Sequence, residues 1–326
     1  INFKIKDPTF NSNKTVFFNS QKIQYNSSSN SKHYSLNFGF NSNKIGTITS
    51  FSFNSFQNLK SGKNRNEYYE DFGYRDEYVV RDYINNEDKI ISNNNTNLQK
   101  FSAYSQLDFI NKINIKLRNN ANLIHGIYLS KSSNIPRYDR LIFYKDIFTP
   151  KYSEWYYGPN YFLMNKIEIN NFRKTNYYDA FKLNISNQIV KESRHSRLFN
   201  NDFLKNRKEK VDIISLNLDF DKKFKNDEIF YGYEFIFNNV NSEANSLNII
   251  NNETSIISSR YPDNGTQYFS NSLYISYKKK FGKIFSNFGL RGNMSRLESK
   301  LSNQIFQFPF SDINLNTSSI SGNIGF

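Results

Sequence analysis

Two stretches decide the fold class, LDFINKINIKL at residues 107–117 and IFYGYEFIF at residues 229–237. In each, apolar side chains recur at every second position. These are Leu107, Phe109, Ile113 and Ile115 in the first stretch and Tyr231, Tyr233, Phe235 and Phe237 in the second, and most of the residues between them are polar or small. A period of two is typical of a β-strand with one apolar and one polar face. Further runs of this kind occupy residues 34–40, 181–185, 214–220, 269–277 and 284–290. The sequence predicts an all-β protein.

Composition excludes several other classes. The 326 residues contain no Cys and carry a formal charge of +14, with 17% aromatic residues and a mean hydropathy of −0.70. Without cysteine there is neither a disulfide framework nor a thiolate metal site. No apolar run approaches the roughly 18 residues of a spanning helix, and 32 Phe with 23 Tyr are too many for a disordered chain. The basic residues are scattered and accompany no nucleic-acid-binding motif, so nucleic-acid binding is not predicted.

The connections between the alternating runs are short and long in strict turn. Short ones are predicted at residues 41–44, 118–121, 171–177, 222–228 and 282–283, and long ones at 57–100, 130–152, 192–209, 241–267 and 298–317. Transmembrane β-barrels have short periplasmic turns and long extracellular loops, and their strands need about 9–11 residues. We therefore predict an antiparallel up-and-down barrel of about eleven or twelve strands, either closed or part of a larger barrel, in the outer membrane of a Gram-negative cell, with every long segment at one end.

The same hypothesis assigns the two faces of the strands. One face should meet outer-membrane lipid, and its predicted members are Leu107, Phe109, Ile113, Ile115, Tyr233 and Phe235. Aromatic residues at strand ends suit the interfacial girdle of a barrel, and Trp155, Tyr156 and Tyr157 are predicted to form part of it. A secreted β-sandwich, an adhesin or glycan-binding module whose apolar faces meet each other, is the competing architecture.

Specific strings then point to a family. NIPRYDRL (134–141) followed by SEWYYGPN (153–160) resembles a paired signature of Bacteroidetes-type TonB-dependent outer-membrane receptors. The resemblance continues in order from about Phe38 onward, through KESRHSR (191–197), NLDF (217–220), YGYEFIFNNVNSEA (231–244), SRYPDNGTQY (259–268), FGLRGN (288–293) and FPFSDINLNTSSISGNIGF (308–326). Each string is weakly specific, but eight in the right order are strongly so.

The resemblance implies a receptor that imports a scarce nutrient. By the habit of the family this is an iron compound such as a ferric siderophore or haem, and cobalamin and an oligosaccharide stay open as alternatives. The resemblance also implies the TonB complex as partner, acting through a plug domain inside a 22-stranded barrel. No plug is visible here, so residues 1–326 are expected to form one partial barrel region, about half of the whole. Such a sheet should stay open, with unpaired edges near residues 34–40 and 320–326. A passive porin or structural barrel is the alternative if the sheet closes.

Candidate ligand contacts lie beside two predicted long connections. Arg137, Asp139 and Arg140 could hold an anionic ligand, or Asp139 could pair with an arginine to order the loop. Arg194 and His195 could contact haem, or they could satisfy hydrogen bonds at the barrel rim. The three histidines have no metal-binding spacing, and no nucleophile or phosphate-loop motif occurs. Nothing orients His195 toward Ser193 as in a barrel phospholipase. Neither enzymatic activity nor a cofactor is predicted.

Overall fold

The computed structural model describes residues 5–11, 13–118, 120–282, 284–302 and 304–326. These ranges contain nineteen strands, one turn of 3₁₀-helix at Glu67–Tyr69 and one turn of α-helix at Tyr138–Leu141. The strands are β1 (Val16–Asn26), β2 (Ser31–Asn41), β3 (Ile45–Phe56), β4 (Leu59–Lys60), β5 (Glu77–Asp82), β6 (Glu87–Ser92), β7 (Leu98–Gln99), β8 (Tyr104–Arg118), β9 (Ala121–Ser132), β10 (Ile135–Pro136), β11 (Tyr152–Tyr157), β12 (Tyr161–Asn171), β13 (Ala180–Leu198), β14 (Phe203–Lys223), β15 (Asp227–Asn248), β16 (Thr254–Ile256), β17 (Thr266–Phe281), β18 (Ile284–Lys300) and β19 (Asp312–Gly325).

Twelve of these strands form one continuous antiparallel meander. Their order in the sheet follows the chain, β1-β2-β3-β8-β9-β12-β13-β14-β15-β17-β18-β19, while β10, β11 and β16 attach to its margin. Two small hairpins, β4 with β7 and β5 with β6, lie within the connection from β3 to β8. The predicted all-β, up-and-down architecture is confirmed, and the strand count agrees with the upper predicted value.

The sheet does not close on itself within the described ranges. Strand β1 pairs only with β2, and β19 pairs only with β18. The last edge lies at residues 312–325, as predicted. The prediction for the first edge was wrong: residues 34–40 belong to β2, which has neighbours on both sides, and the edge strand is β1. Its weak alternation (Val16, Phe17, Phe18, then mostly polar residues) conceals it in the sequence.

The short connections occur where they were predicted, although two of them, 118–121 and 282–283, include Asn119 and Lys283, which lie outside the described residues. Successive strands are antiparallel, so alternate connections share one end of the sheet, here called the long-connection end. Three of the five long connections are shorter than predicted. In the first of these, β13 and β14 extend through most of residues 192–209 and leave only 199–202. Similarly, β15 reaches Asn248, and β18 and β19 leave only 301–311 between them.

The pairing registers sort the side chains into two faces. Residues directly opposite each other on neighbouring strands point to the same side of a sheet. Ile113 pairs with His125, His125 with Ile167, Ile167 with Ile185, Ile185 with Leu216 and Leu216 with Phe235, which defines the apolar face. All six residues predicted to meet lipid share this face.

The polar face lies on the other side. Its middle row runs through Lys112, Gly126, Lys166, Ser186 and Ser215. Residues near the start of the chain rest against it: Lys112 forms an ion pair with Asp7, and Asn114 Nδ2 donates a hydrogen bond of 2.8 Å to the carbonyl oxygen of the buried Pro8.

The apolar face has no protein partner in the described part of the chain. Leu273 is 66% exposed and Ile320 is 81% exposed, whereas few large apolar side chains are buried among the residues that the structure describes. A β-sandwich would bury such a face against a second sheet, so that alternative does not fit. No helix among the described residues is long and apolar enough to cross a membrane.

Candidate functional site

Three connections converge at the long-connection end. The hairpin of β5 and β6, the segment from β10 to β11, and the tight turn at residues 199–202 contact one another through charged side chains. Chain continuity explains part of this arrangement: β11 is in line with β12 and pairs with the upper part of β13, so residues 152–157 extend the sheet beyond the Gly158–Pro159 break. The result is a rim assembled from residues far apart in sequence.

A buried ion pair joins the hairpin to this rim. Arg197 on β13 donates two hydrogen bonds to Asp88 on β6, Nη1 to Oδ2 at 2.8 Å and Nη2 to Oδ1 at 3.0 Å. The side chains are 1% and 0% exposed. Ser153 Oγ and the backbone N–H of Asn200 also donate to Asp88, at 2.5 and 2.8 Å. Such bidentate, charge-assisted hydrogen bonds fix the orientation of the two side chains and are also stronger than hydrogen bonds between neutral groups.

Neighbouring groups complete this network. Arg197 Nε donates to Glu154 Oε1 at 2.7 Å, and Arg81 of β5 pairs with Asp202 at 2.5 Å. Burial alone would raise the pKa of Asp88, but the hydrogen bonds from Arg197 and Ser153 outweigh it and hold this pKa below its ordinary value. The carboxylate is therefore ionised at neutral pH, and the hairpin is held by a full charge pair.

A second constellation, the arginine cluster, consists of Arg137, Asp139, Trp155, Tyr157 and Arg194. Arg137 donates to both oxygens of Asp139, at 2.7 and 2.6 Å, and to Tyr157 Oη at 2.6 Å. The guanidinium group also lies 5.2 Å from the ring centroids of Trp155 and Tyr157. The hydrogen bonds from Arg137 lower the pKa of Asp139, so this carboxylate stays ionised.

Arg194 reaches the same two rings from the sheet. It lies directly opposite Tyr157 in the β11–β13 register, with its guanidinium 5.3 Å from the Tyr157 centroid and 5.6 Å from that of Trp155. Within the described ranges its hydrogen-bond acceptor is Tyr157 Oη at 3.4 Å, a weak contact. The guanidinium of Arg194 therefore keeps N–H groups that can donate to a ligand, whereas those of Arg137 already donate to Asp139 and Tyr157.

The arginine cluster stands on the polar face. Arg194 has the same parity along the uninterrupted β13 as Ser186, which belongs to the polar row. Arg207 lies directly opposite Arg194 on β14 and donates to the Ser258 carbonyl at 3.0 Å. Glu209, two residues away, is buried, and burial raises the pKa of its carboxyl above the ordinary value.

His195 lies on the other side of the sheet. It points to the same side as Ile185, stacks on the Tyr156 ring at 4.5 Å between centroids, and places Nδ1 2.6 Å from Asn206 Oδ1. Burial lowers its pKa, so the imidazole is neutral at pH 7. Both roles considered for His195, a haem contact and hydrogen bonding at the rim, stay predictions.

The structure thus separates the predicted site residues. Arg137, Asp139 and Arg194 come together, whereas Arg140 lies at the margin, 3.9 Å from Asp139 and 5.4 Å from the Phe143 centroid. The three aromatic residues assigned to an interfacial girdle also divide: Tyr156 stands on the side of the apolar face, while Trp155 and Tyr157 belong to the arginine cluster. Only Tyr156 retains the girdle position as a prediction.

Sequence reasoning missed the buried ion pair entirely. Asp88 lies in a polar segment with no motif, and its partner Arg197 is 109 residues away. A cleft of about 370 Å³ beside this pair is lined partly by apolar side chains, among them Val79, Tyr83, Phe101, Leu141 and Trp155. No group of three or more potential metal ligands (His, Cys, Asp or Glu) occurs in the described ranges.

Comparison with known proteins agrees with this geometry. Residues 164–316 match the outer membrane protein beta-barrel family, which confirms the predicted location in the outer membrane. No curated protein matches the chain by sequence.

Several solved structures of similar fold are transporters by title. The copper transporter OprC superimposes with a TM-score of 0.71 at 6% identity, over 99% of this chain and 44% of that one. The FrpB iron transporter from Neisseria meningitidis gives 0.59 at 10% identity, over 95% and 42%, and the unliganded ferric citrate transporter FecA gives 0.55 at 12% identity, over 98% and 42%. This chain therefore spans less than half the length of each of these three structures, and at such identities the likeness shows the fold: an outer-membrane β-barrel architecture.

Proposed function

We propose that this chain is part of the barrel of a Bacteroidetes-type TonB-dependent receptor that takes up an iron compound from the cell surface. One observation carries the proposal. An arginine cluster with spare donor capacity stands on the polar face, at the end where the long connections meet, within a sheet that superimposes on transporter barrels. In a barrel the polar face lines the lumen, so the cluster faces the route that a ligand follows.

The chemistry of the cluster favours an anionic, partly planar ligand. Guanidinium groups bind carboxylates bidentately, and aromatic faces stack on flat rings and on cations. Ferric citrate, catecholate siderophores and the propionate-bearing haem combine these features. Arg194 is the residue proposed to meet the ligand, and Arg137, which is held by Asp139 and Tyr157, positions the rings.

Replacing Arg194 with alanine should weaken ligand binding by about 10-fold to 100-fold, because a hydrogen bond to a charged group contributes roughly 1.5–3 kcal/mol. Lysine at this position should recover part of the affinity, since it keeps the charge but loses the planar fork. The measurement is equilibrium binding of ferric citrate, ferric enterobactin and haemin to the purified full-length protein. Arg140→Ala, an exposed arginine of the neighbouring loop, is the matched control and should bind as the unaltered protein does.

If Arg194→Ala binds every probe as tightly as the unaltered protein does, the arginine cluster does not contact the ligand, and the proposed role of the cluster is wrong.

Transport should depend on energy. We expect a protonophore to abolish accumulation of the bound iron compound in cells while surface binding persists, because a TonB-dependent receptor binds passively but releases its ligand inward only when it is pulled. The measurement is uptake of radioactive iron with and without the protonophore. Uptake that continues unchanged and rises linearly with concentration would favour the passive porin instead.

A further inference from the structure

Above the apolar face, the same side of the sheet carries four exposed lysines, here called the lysine row: Lys131, Lys191, Lys208 and Lys210. They begin where the apolar side chains end. On β9, Lys131 is the next residue on this side after Leu129, and on β13, Lys191 is the next after Ile189. The lysine row therefore lies at the level where the hydrocarbon of the membrane gives way to headgroups.

The register places these charges close together. Lys191 lies directly opposite Lys210, and Lys208 follows two residues further along the same strand. Neighbouring strands are about 4.8 Å apart, and like charges that face each other across a strand pair destabilise the sheet. An arrangement of this kind gains stability from an anion that bridges the lysines.

Protein carboxylates neutralise only part of the row. Lys210 forms an ion pair of 2.9 Å with Asp212. Glu243 is opposite Lys208 in the register, but among the described residues no carboxylate lies within 4.0 Å of Lys131, Lys191 or Lys208. The surface therefore keeps an excess of positive charge toward the outside.

The row also borders a preformed groove. A groove of about 670 Å³ is lined by the three lysines of β13 and β14, by Tyr156 and Pro159, and by Glu192, Glu209 and Glu243, of which Glu243 shares the side of the lysine row. Tyr161 stands between Lys131 and Lys191 in the register, and its ring centroid is 5.6 Å from the Lys191 ammonium. Aromatic and basic side chains in this combination are typical of a membrane–water interface.

We propose that the lysine row binds the phosphate groups of phosphorylated glycolipid headgroups in the surrounding leaflet. The row is continuous with a face that meets lipid, so the anions delivered to this height are headgroups of that lipid. Lysine binds phosphate as a point charge, and each lysine near an anionic membrane surface strengthens binding by about five-fold. This inference does not depend on which nutrient the receptor carries.

The test uses the purified full-length protein in detergent, titrated with diphosphorylated lipid A and followed by native mass spectrometry. The triple variant Lys191→Gln, Lys208→Gln, Lys210→Gln should bind lipid A about a hundred-fold more weakly. The control variant Lys44→Gln, Lys174→Gln, Lys225→Gln removes equal charge from short connections at the opposite end and should bind as the unaltered protein does.

A second arm needs no substitution. Enzymatically dephosphorylated lipid A should bind the unaltered protein about as weakly as the intact lipid binds the triple lysine variant. Equal binding of the two lipids, or equal losses in the triple and control variants, would overturn the proposal, because the attraction would then be hydrophobic or would follow net charge.

Discussion

Replacing Asp88 with alanine should release the β5–β6 hairpin from the rim of the sheet. The substitution leaves the guanidinium of Arg197 buried with only Glu154 and a backbone carbonyl as partners. Breaking a buried pair by removing one member costs about 3–5 kcal/mol. Backbone amide protection in residues 77–92 should therefore fall by a hundred-fold or more, measured by hydrogen–deuterium exchange in the detergent-solubilised protein.

The control lies in the same hairpin. The ion pair of 2.6 Å between Lys89 and Asp82 lies near the surface, with Lys89 about half exposed, and surface pairs contribute at most about 1 kcal/mol. Lys89→Ala should change protection little, because the Asp82 carboxylate keeps the hydrogen bonds that it accepts from the backbone N–H groups of Ile84 and Asn85 in the hairpin turn. Because Asp88 has a lowered pKa in the folded protein, its stabilisation is present above the ordinary value of 3.8 and is lost only as the pH falls through the lower folded-state value. Protection that drops already between pH 7 and 5 would contradict the role given to Asp88.

Replacing Phe235 with arginine should impair membrane insertion by about 2–4 kcal/mol, the cost of a charge on the lipid face near the bilayer midplane. Phe235 lies in the row of Ile185 and Leu216, in the middle of the apolar stretch of β15. The measurement is the free energy of refolding into liposomes, obtained by titration with urea.

Ile236→Arg is the matched control, since Ile236 neighbours Phe235 in sequence but points to the polar face, opposite Ser215. This variant should insert nearly as well as the unaltered protein, because its guanidinium reaches water in the lumen. Equal losses for the two variants would mean that the two faces do not differ in environment, and the assignment of lipid and lumen would fail.

The rim shows where apolar–polar alternation in the sequence stops predicting strands. Residues 192–209 are polar and lack alternation, so they were assigned to a long loop, yet β13 and β14 continue through them to Leu198 and from Phe203. Above the membrane both faces of a strand are wet, so the apolar–polar alternation that reveals a strand is no longer required. Backbone hydrogen bonding to the neighbouring strand continues without it.

The candidate site was likewise predicted only in part from the sequence. The sequence singled out Arg137, Asp139 and Arg194 because they are charged residues beside two predicted long connections, and the structure brings these three together. It could not separate Arg194 from His195, which are adjacent in sequence. The two side chains point to opposite faces because β13 continues without interruption from the membrane-facing residues to this point, so that alternation can be counted along it. Where the sequence predicts a loop instead of a strand, that count is not possible.

By itself, the sequence determined the all-β class, the apolar and polar faces, and the positions of the short turns. These features depend on a two-residue period and on turn residues that act over a few positions. Only the tertiary structure decided the true first edge at β1, the length of β13–β15, and the ion pair between Asp88 and Arg197. Each of these depends on which distant segments meet: an edge is defined by the absence of a neighbour, and a buried charge is tolerable only where a partner from elsewhere in the chain neutralises it.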